Sequence, residues 1–157
     1  MANTDSTLPL FILSGAQSGA DRAGLDWAIS RGLPHGGWCP KGRRSEDGPI
    51  PALYTLEETP SSGYQQRTEW NVRDSDATII FTLSDVLDGG SKLTAQIAQR
   101  LGKPWMQFRP GVHERYLAQF VNRHGARRLN IAGKRESAAT GIYAFTFESL
   151  EKAFPQP

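Results

Sequence analysis

The sequence predicts an α/β fold, a Rossmann-like three-layer sandwich with a mostly parallel central sheet. Short apolar runs that suit buried strands alternate with longer helix-compatible segments along the chain. Two glycine-containing turns each join such a run to a helix, where α/β proteins commonly bind ligands. The 157 residues, 38% of them hydrophobic and 22% charged, fit one globular domain. We therefore expect a single domain over residues 1–157, with residues 1–8 as a flexible tail.

The first half of the chain predicts three strands and two helices around one long loop. The apolar run at 9–14 is too short for a helix, and residues 77–83 form the clearest central strand. A helix at 20–31 stops at Gly32, a common end signal. The remaining segments are a weak strand at 37–39, a loop rich in Pro, Gly, Ser and charge at 40–62, and a polar helix at 64–75.

The second half continues the alternation. Leu93, Ile97 and Leu101 are four residues apart and place an apolar stripe on a helix at 91–101. The other predicted elements are strands at 104–108 and 128–132, a closing helix at 141–154, and an amphipathic helix at 112–124 whose apolar face comprises Val112, Tyr116, Leu117, Phe120 and Val121. In parallel sheets ligands bind beyond the carboxyl ends of the strands. The residues that follow each strand are therefore the first candidates for function.

Composition and local patterns exclude several classes of protein. The single Cys39 excludes a disulfide framework. The longest apolar run, near residues 10–13, is too short to span a membrane, and the first seven residues lack the pattern of a signal peptide. We expect a cytoplasmic protein that forms a homo-oligomer.

The net charge of +2 conceals an uneven distribution. Residues 100–135 hold nine Lys/Arg and only Glu114 as an acidic residue, whereas residues 1–99 carry a net charge of −4. The basic segment predicts either a solvated surface or an anionic partner. Because Trp105, Phe108, Tyr116 and Phe120 lie among its arginines, single-stranded nucleic-acid binding is one alternative. The apolar helix face that contains two of these aromatic residues argues instead for core packing.

Two turns are candidate cradles for an anion. Glycine lets backbone N–H groups approach a ligand, and a helix N-terminus adds partial positive charge. Turns that follow parallel strands would converge on one ligand, although each could also be ordinary turn chemistry. The candidate residues are Gly15, Gln17, Ser18, Gly19 and Asp21 in the first turn, and Gly89, Gly90, Ser91 and Thr94 in the second.

Two further segments could complete a ligand site. Lys41, Arg43 and Arg44 would grip an anion, or would form a solvated basic loop. The polar helix at 64–75 would place Arg67, Glu69 and Asn71 over the pocket, or would be a salt-bridged surface helix. Its two aromatic residues, Tyr64 and Trp70, favour the pocket.

No metal site is expected from the histidines or the cysteine. His35, His113 and His124 are scattered, with no Cys or carboxylate at ligand spacing. Cys39 is interpreted as a buried structural thiol.

The segments at 14–28, 37–48 and 67–76 resemble the putative molybdenum carrier family. Gly89-Gly90-Ser91 with Thr94, Lys103-Pro104 and the run at 129–133 extend the likeness over nearly the whole chain. This family is similar to a Rossmann-like superfamily that includes the lysine-decarboxylase-like nucleotide phosphoribohydrolases and the DNA-processing protein A. The resemblance implies a nucleotide-type ligand at the two glycine turns. The family's name implies the molybdenum cofactor, a pterin that carries a phosphate and a molybdenum oxyanion.

One departure from the related hydrolases bears on catalysis. Their motif is Pro-Gly-Gly-x-Gly-Thr-x-x-Glu, but residues 88–96 lack the proline and the third glycine, and Gln96 stands near the position of the glutamate. An amide cannot serve as a general base. The first hypothesis is therefore a binding protein for a phosphorylated heterocycle, either the molybdenum cofactor or a nucleotide. The alternative is a nucleotide N-glycosidase, with Glu69 or Asp74 as the acid/base and Arg67 as a phosphate clamp.

Overall fold

The computed structural model describes residues 10–156 and has the α/β architecture that the sequence predicts. The expected tail at 1–8 lies outside the described residues. The strands are β1 (Phe11–Leu13), β2 (His35–Gly36), β3 (Trp38–Cys39), β4 (Glu57–Glu58), β5 (Ala77–Phe81), β6 (Trp105–Phe108) and β7 (Arg128–Gly133). The helices are α1 (Ala20–Ser30), α2 (Tyr64–Arg73), α3 (Gly89–Arg100), α4 (Arg115–Arg123) and α5 (Ile142–Ala153).

The central sheet has five parallel strands in the order β2-β1-β7-β5-β6. The last strand of the chain, β7, therefore occupies the middle of the sheet, where Leu129 pairs with both Ile12 and Ala77. Every residue of β5 is buried, as expected for a strand that helices cover on both faces.

The helices form two layers. Helix α5 packs against both α1 and α4, and α2 packs with α3. This division follows from the right-handed crossover of connections between parallel strands. A right-handed connection to a strand on one side places its helix on one face of the sheet, and a connection to the other side places its helix on the opposite face. Trp27, Phe81 and Phe108 are fully buried in the main core. The three-layer sandwich is confirmed.

The strand predicted at 37–39 is present as β3, but it does not belong to the central sheet. His35 and Gly36 form the edge of the central sheet, and the chain then turns away at Gly37, which has φ +126°. The next two residues form β3, which pairs with β4 in a separate parallel ladder. β4 lies inside the segment at 40–62 that was predicted to be only a loop. Two-residue strands depend on tertiary pairing, so no periodic pattern predicts them.

Helix α4 is shorter than the predicted helix at 112–124, and its apolar face is narrower. Leu117 and Val121 are buried, whereas Tyr116 is 43% exposed. Tyr116 therefore lies at the border of the face to which the sequence pattern assigned it.

Candidate functional site

A crevice opens between the carboxyl end of β7 and helix α3, which follows β5 in the chain. At this place the order of the strands along the sheet changes direction. From β7 the sheet order continues to β1 and β2, and from β5 it continues the other way to β6. Such a reversal separates the loops that follow the two strands and leaves a ligand-sized gap. The crevice encloses about 50 Å³ and is lined by Gly15, Asp21, Arg67, Thr68, Asn71, Gly90, Thr94 and residues 130–133. This space holds a few water molecules, so it suits a compact anionic group rather than a whole nucleotide.

The second glycine turn forms an open side of this crevice. No atom lies within 4 Å of the position that a Cβ would take at Gly89 or Gly90, and Gly89 has φ +52°. The first N–H groups of a helix have no intrahelical partner, and they carry the positive end of the helix dipole. Thr94 donates its hydroxyl to the carbonyl of Gly90 at 2.8 Å, and the buried Ser91 Oγ has no partner. The start of α3 is therefore available to an anion.

The first glycine turn is closed by another part of the chain. The N–H of Ala20 donates to the carbonyl of Lys134 at 3.2 Å, and Gly19 lies against the backbone of residues 134–136. A Cβ at Gly19 would lie 2.7 Å from the backbone nitrogen of Glu136. The N-terminus of α1 is thus used for packing the loop after β7. Of the residues predicted in this turn, Gly15 and Asp21 line the crevice.

Asp21 and Arg67 form an ion pair that joins the first turn to α2. Arg67 Nη1 lies 3.0 Å from Asp21 Oδ2, and their side chains are 15% and 3% exposed. Burial raises the pKa of Asp21 above its ordinary value, whereas the Arg67 guanidinium and the backbone N–H of Gln17 oppose this shift. Glycine at position 15 leaves room for the Arg67 side chain, because a Cβ there would lie 2.7 Å from the Arg67 Cζ. The buried Arg67 Nε has no hydrogen-bond partner, so the pair leaves a donor unused.

Asn71 holds the wall of the crevice in place. The N–H of Trp38 donates to Asn71 Oδ1 at 2.8 Å, and Asn71 Nδ2 donates to the carbonyl of Trp38 at 2.9 Å. Both the oxygen and the nitrogen of this buried side-chain amide therefore form hydrogen bonds with the backbone that follows β2. Asn71 lines the crevice as predicted, and it also fixes α2 to β3.

The basic loop contributes only one cation near the crevice. Arg43 donates to the carbonyls of Ile50, Pro51 and Tyr54, so it organises the loop itself. Lys41 is exposed, and its backbone N–H donates to the carbonyl of Ser61. The guanidinium of Arg44 lies over the ring of Tyr64, 5.4 Å from its centroid.

The polar side chains of Gln17 and Ser18 face the loop beyond the crevice. Gln17 Nε2 donates to the carbonyl of Arg44 at 2.9 Å, and the Ser18 hydroxyl donates to the Glu46 carboxylate. The Gln17 Oε1 is buried without a partner. These two residues therefore connect the first glycine turn to the basic loop.

The candidate catalytic acids lie away from the crevice. Glu69 pairs with Arg100 at 3.2 Å and lines a separate surface groove beside Trp70. Asp74 accepts hydrogen bonds from Arg73 and from the Trp38 ring nitrogen, and these bonds lower its pKa. The helix periodicity that places Arg67 and Asn71 on one face turns Glu69 to another face.

Strand β7 and the loop after it bring residues that the sequence prediction did not include. Asn130 and Gly133 line the crevice, and Asn130 donates to Thr78 Oγ1 at 3.2 Å. Lys134 pairs with Asp88 at the start of α3, and the guanidinium of Arg135 lies 4.8 Å from the ring centroid of Tyr64. The sequence did contain an indication of these residues, because Gly133 and two cations, Lys134 and Arg135, directly follow the last predicted strand.

The aromatic residues of the basic segment do not form one exposed face. Phe108 is fully buried, and Phe120 packs against the core, whereas Tyr116 is exposed. Arg115 lies over Tyr116, 5.0 Å from the ring centroid.

No helix of residues 10–156 is both long and apolar enough to cross a membrane. Within the same residues, no three His, Cys, Asp or Glu side chains come together as a metal-binding group. Cys39 is a buried free thiol whose pKa is raised by burial.

Comparisons with known proteins agree with this architecture. Residues 12–154 match the model of the circularly permutated YpsA SLOG family. A crystal structure from Syntrophus aciditrophicus, named as a putative molybdenum carrier protein, is 41% identical in sequence and superposes with a TM-score of 0.89. The match covers 92% of this chain and 94% of that one. No curated protein sequence matches the chain.

Proposed function

Because the chain belongs to the circularly permutated YpsA SLOG family, we propose that it binds a phosphorylated heterocyclic small molecule in the crevice between β5 and β7. The sheet order is what a permutation produces. The unit formed by β7 and α5 comes last in the chain but occupies the central position, from which a doubly wound sheet grows in both directions. The family match and the structural neighbour support a ligand-binding role for this chain.

One observation carries the proposal. Gly90, at the open start of α3, and Arg67 line the same small crevice, and the Arg67 Nε and the Ser91 Oγ are polar atoms without a protein partner among the described residues. A phosphate group accepts several hydrogen bonds and carries negative charge, so it would satisfy both. The ligand's phosphate would therefore lie between Gly90 and Arg67, and its heterocycle would lie outside the enclosed space.

The name of the structural neighbour makes the molybdenum cofactor one candidate ligand. The residues of the crevice fit the anionic groups of this pterin, because backbone N–H groups and a guanidinium are the donors that oxyanions prefer. A nucleotide offers the same phosphate chemistry and is the other candidate. In both cases Gly90, Ser91 and Arg67 would hold the anion, and Asn71 would keep the wall of the site in position.

The first experiment weighs the freshly purified protein by native mass spectrometry and identifies any ligand that it carries. Calorimetry then tests nucleoside monophosphates, nucleoside diphosphates, ADP-ribose and the molybdenum cofactor. We expect at least one of them to bind with a Kd of about 1 μM, about −8 kcal/mol. The absence of both a carried mass and binding heat would contradict the proposal.

A matched pair of variants locates the site on α3. Gly90→Leu places a side chain in open space at the crevice, and it also replaces a helix glycine, so the fold should remain stable. Gln96→Leu makes the same new side chain at an exposed position further along the helix. We expect the first variant to lose ligand binding and the second to retain it. Equal binding by both variants would place the ligand elsewhere.

A further inference from the structure

Three arginine side chains surround one aromatic ring, and one of the three, Arg67, lines the crevice. The guanidinium carbons of Arg44, Arg67 and Arg135 lie 5.4, 5.5 and 4.8 Å from the ring centroid of Tyr64. They come from three separate segments, the loop after β3, helix α2 and the loop after β7. The fold therefore gathers three positive charges that the sequence keeps far apart.

The counter-charges near this cluster are few. Arg67 has Asp21 as its partner, whereas neither Arg44 nor Arg135 forms an ion pair with a carboxylate within residues 10–156. Arg44 donates one hydrogen bond to the carbonyl of Ser62 at 2.6 Å. Like charges so close together repel, and a partly exposed site reduces that repulsion only in part. The cluster therefore has a net positive charge and guanidinium N–H groups that no protein acceptor in the described chain uses.

The acidic group that interacts electrostatically with Arg135 is Glu46, and it is already engaged elsewhere. The Glu46 carboxylate accepts hydrogen bonds from the hydroxyls of Ser18 and Ser137 and from the N–H of Ser137. Its charge affects Arg135 through space, but the pair makes no direct contact within 4 Å in the described chain. Three guanidinium groups against two carboxylates still leave the site positive, before the helix dipole of α3 is added.

The Tyr64 ring holds two arginines while most of their donors stay unused. A guanidinium near an aromatic ring is attracted by the electrons of the ring and keeps its N–H groups for other partners. The guanidinium of Arg44 donates to the carbonyl of Ser62, and that of Arg135 donates to no protein group within residues 10–156. Tyr64 would therefore act as a positioning residue for Arg44 and Arg135.

We propose that the arginines around Tyr64 form a second anion subsite and that the natural ligand is a diphosphate ester. This inference rests on the proposed function. One phosphoryl group would bind at the N-terminus of α3, and the linked phosphoryl group would bind between Arg44 and Arg135. Arg67 both lines the crevice and reaches the ring of Tyr64, so it would contact the two groups together. A monophosphate would fill the first subsite alone.

The test compares inorganic phosphate with inorganic diphosphate by calorimetry at constant ionic strength. Charge-assisted hydrogen bonds from the second subsite should make diphosphate bind at least about tenfold more tightly than phosphate. Arg135→Gln and Arg44→Gln should each remove most of that preference and leave phosphate affinity within about twofold. Arg115→Gln is the control, because it removes an arginine that lies over a tyrosine ring on α4, and it should retain the preference.

The outcomes separate this inference from the proposed function. Phosphate that binds in a manner sensitive to Gly90→Leu, with no preference for diphosphate, would overturn the diphosphate subsite and leave the crevice assignment intact. A preference that survives Arg135→Gln and Arg44→Gln would also overturn it. If neither probe binds, the proposed function itself fails. Thermal unfolding of each variant checks that the fold is retained.

Discussion

Breaking the Arg67–Asp21 pair tests the structural basis of the crevice. The two side chains differ in exposure, with Asp21 at 3% and Arg67 at 15%. Arg67→Ala leaves a carboxylate that water hardly reaches, and we expect it to lower the free energy of unfolding by about 3–5 kcal/mol. Asp21→Asn leaves the more exposed partner alone and keeps an acceptor for the N–H of Gln17, so it should cost only about 1–3 kcal/mol.

The pH dependence of this cost has a definite sign. Burial raises the pKa of Asp21 in the folded protein above 3.8, and Arg67 opposes the increase. Removing Arg67 raises that pKa further. A carboxyl whose folded pKa lies above its unfolded value destabilises the protein as pH rises between those two values. The cost of Arg67→Ala should therefore be smaller at about pH 5 than at about pH 8.

Guanidinium chloride unfolding, followed by tryptophan fluorescence, measures these costs. The double variant Arg67→Ala/Asp21→Asn removes both charges, and we expect it to cost less than the two single variants added together, by about 1–3 kcal/mol. Costs that add to within about 0.5 kcal/mol would refute the argument, because independent sites behave in this way. An equal cost of Arg67→Ala at both pH values would refute the proposed state of Asp21.

Three further predictions concern groups around the site. Asn71→Ala leaves both the N–H and the carbonyl of Trp38 without partners and should cost about 2–4 kcal/mol in denaturant unfolding, and a cost below about 0.5 kcal/mol would contradict this role. Burial and a hydrogen bond to an aspartate raise the pKa of Tyr54 to about 12 from its ordinary value of 10.0. The loss of unfolding free energy caused by Tyr54→Phe should therefore be complete below pH 10 and should shrink towards pH 12. Ultraviolet titration of the parent protein and the variant identifies the ionisation that the variant lacks, and an ionisation near pH 10 would refute this prediction. Gly19→Ala combines φ +84° with a backbone clash, whereas Gly48→Ala at φ +106° meets open space. Gly19→Ala should therefore lower the Tm far more, and equal shifts would show that the contact with the loop after β7 is unimportant.

The alternation of apolar and polar segments was sufficient to predict the helices and four of the five strands of the central sheet, the exception being β2. Runs such as 77–81 are apolar because both faces of the strand are covered, and this property is local enough to read from sequence. The central position of β7 was not predictable in the same way. Strand order depends on long-range packing, and nothing in residues 128–133 indicates that they pair with both β1 and β5.

Part of the lining of the crevice was predictable from the sequence, but the side-chain partners were not. The periodicity of α2 correctly brought Arg67 and Asn71 to the crevice, because residues four apart share a helix face. Arg43 was indistinguishable from Arg44 in sequence, yet it binds three carbonyls of its own loop. Such choices follow from how a loop folds back on itself. Arg135 joined the site only because the last strand lies in the middle of the sheet.

Titration of ¹⁵N-labelled protein with inorganic phosphate tests the central claim most directly. If the crevice at the start of α3 binds phosphate, the amide signals of Gly89, Gly90 and Ser91 will move with a single saturable binding curve. The amides at the N-terminus of α1, which the loop after β7 already occupies, will move much less. Unchanged signals at residues 89–91, or larger shifts in another part of the protein, would contradict the account.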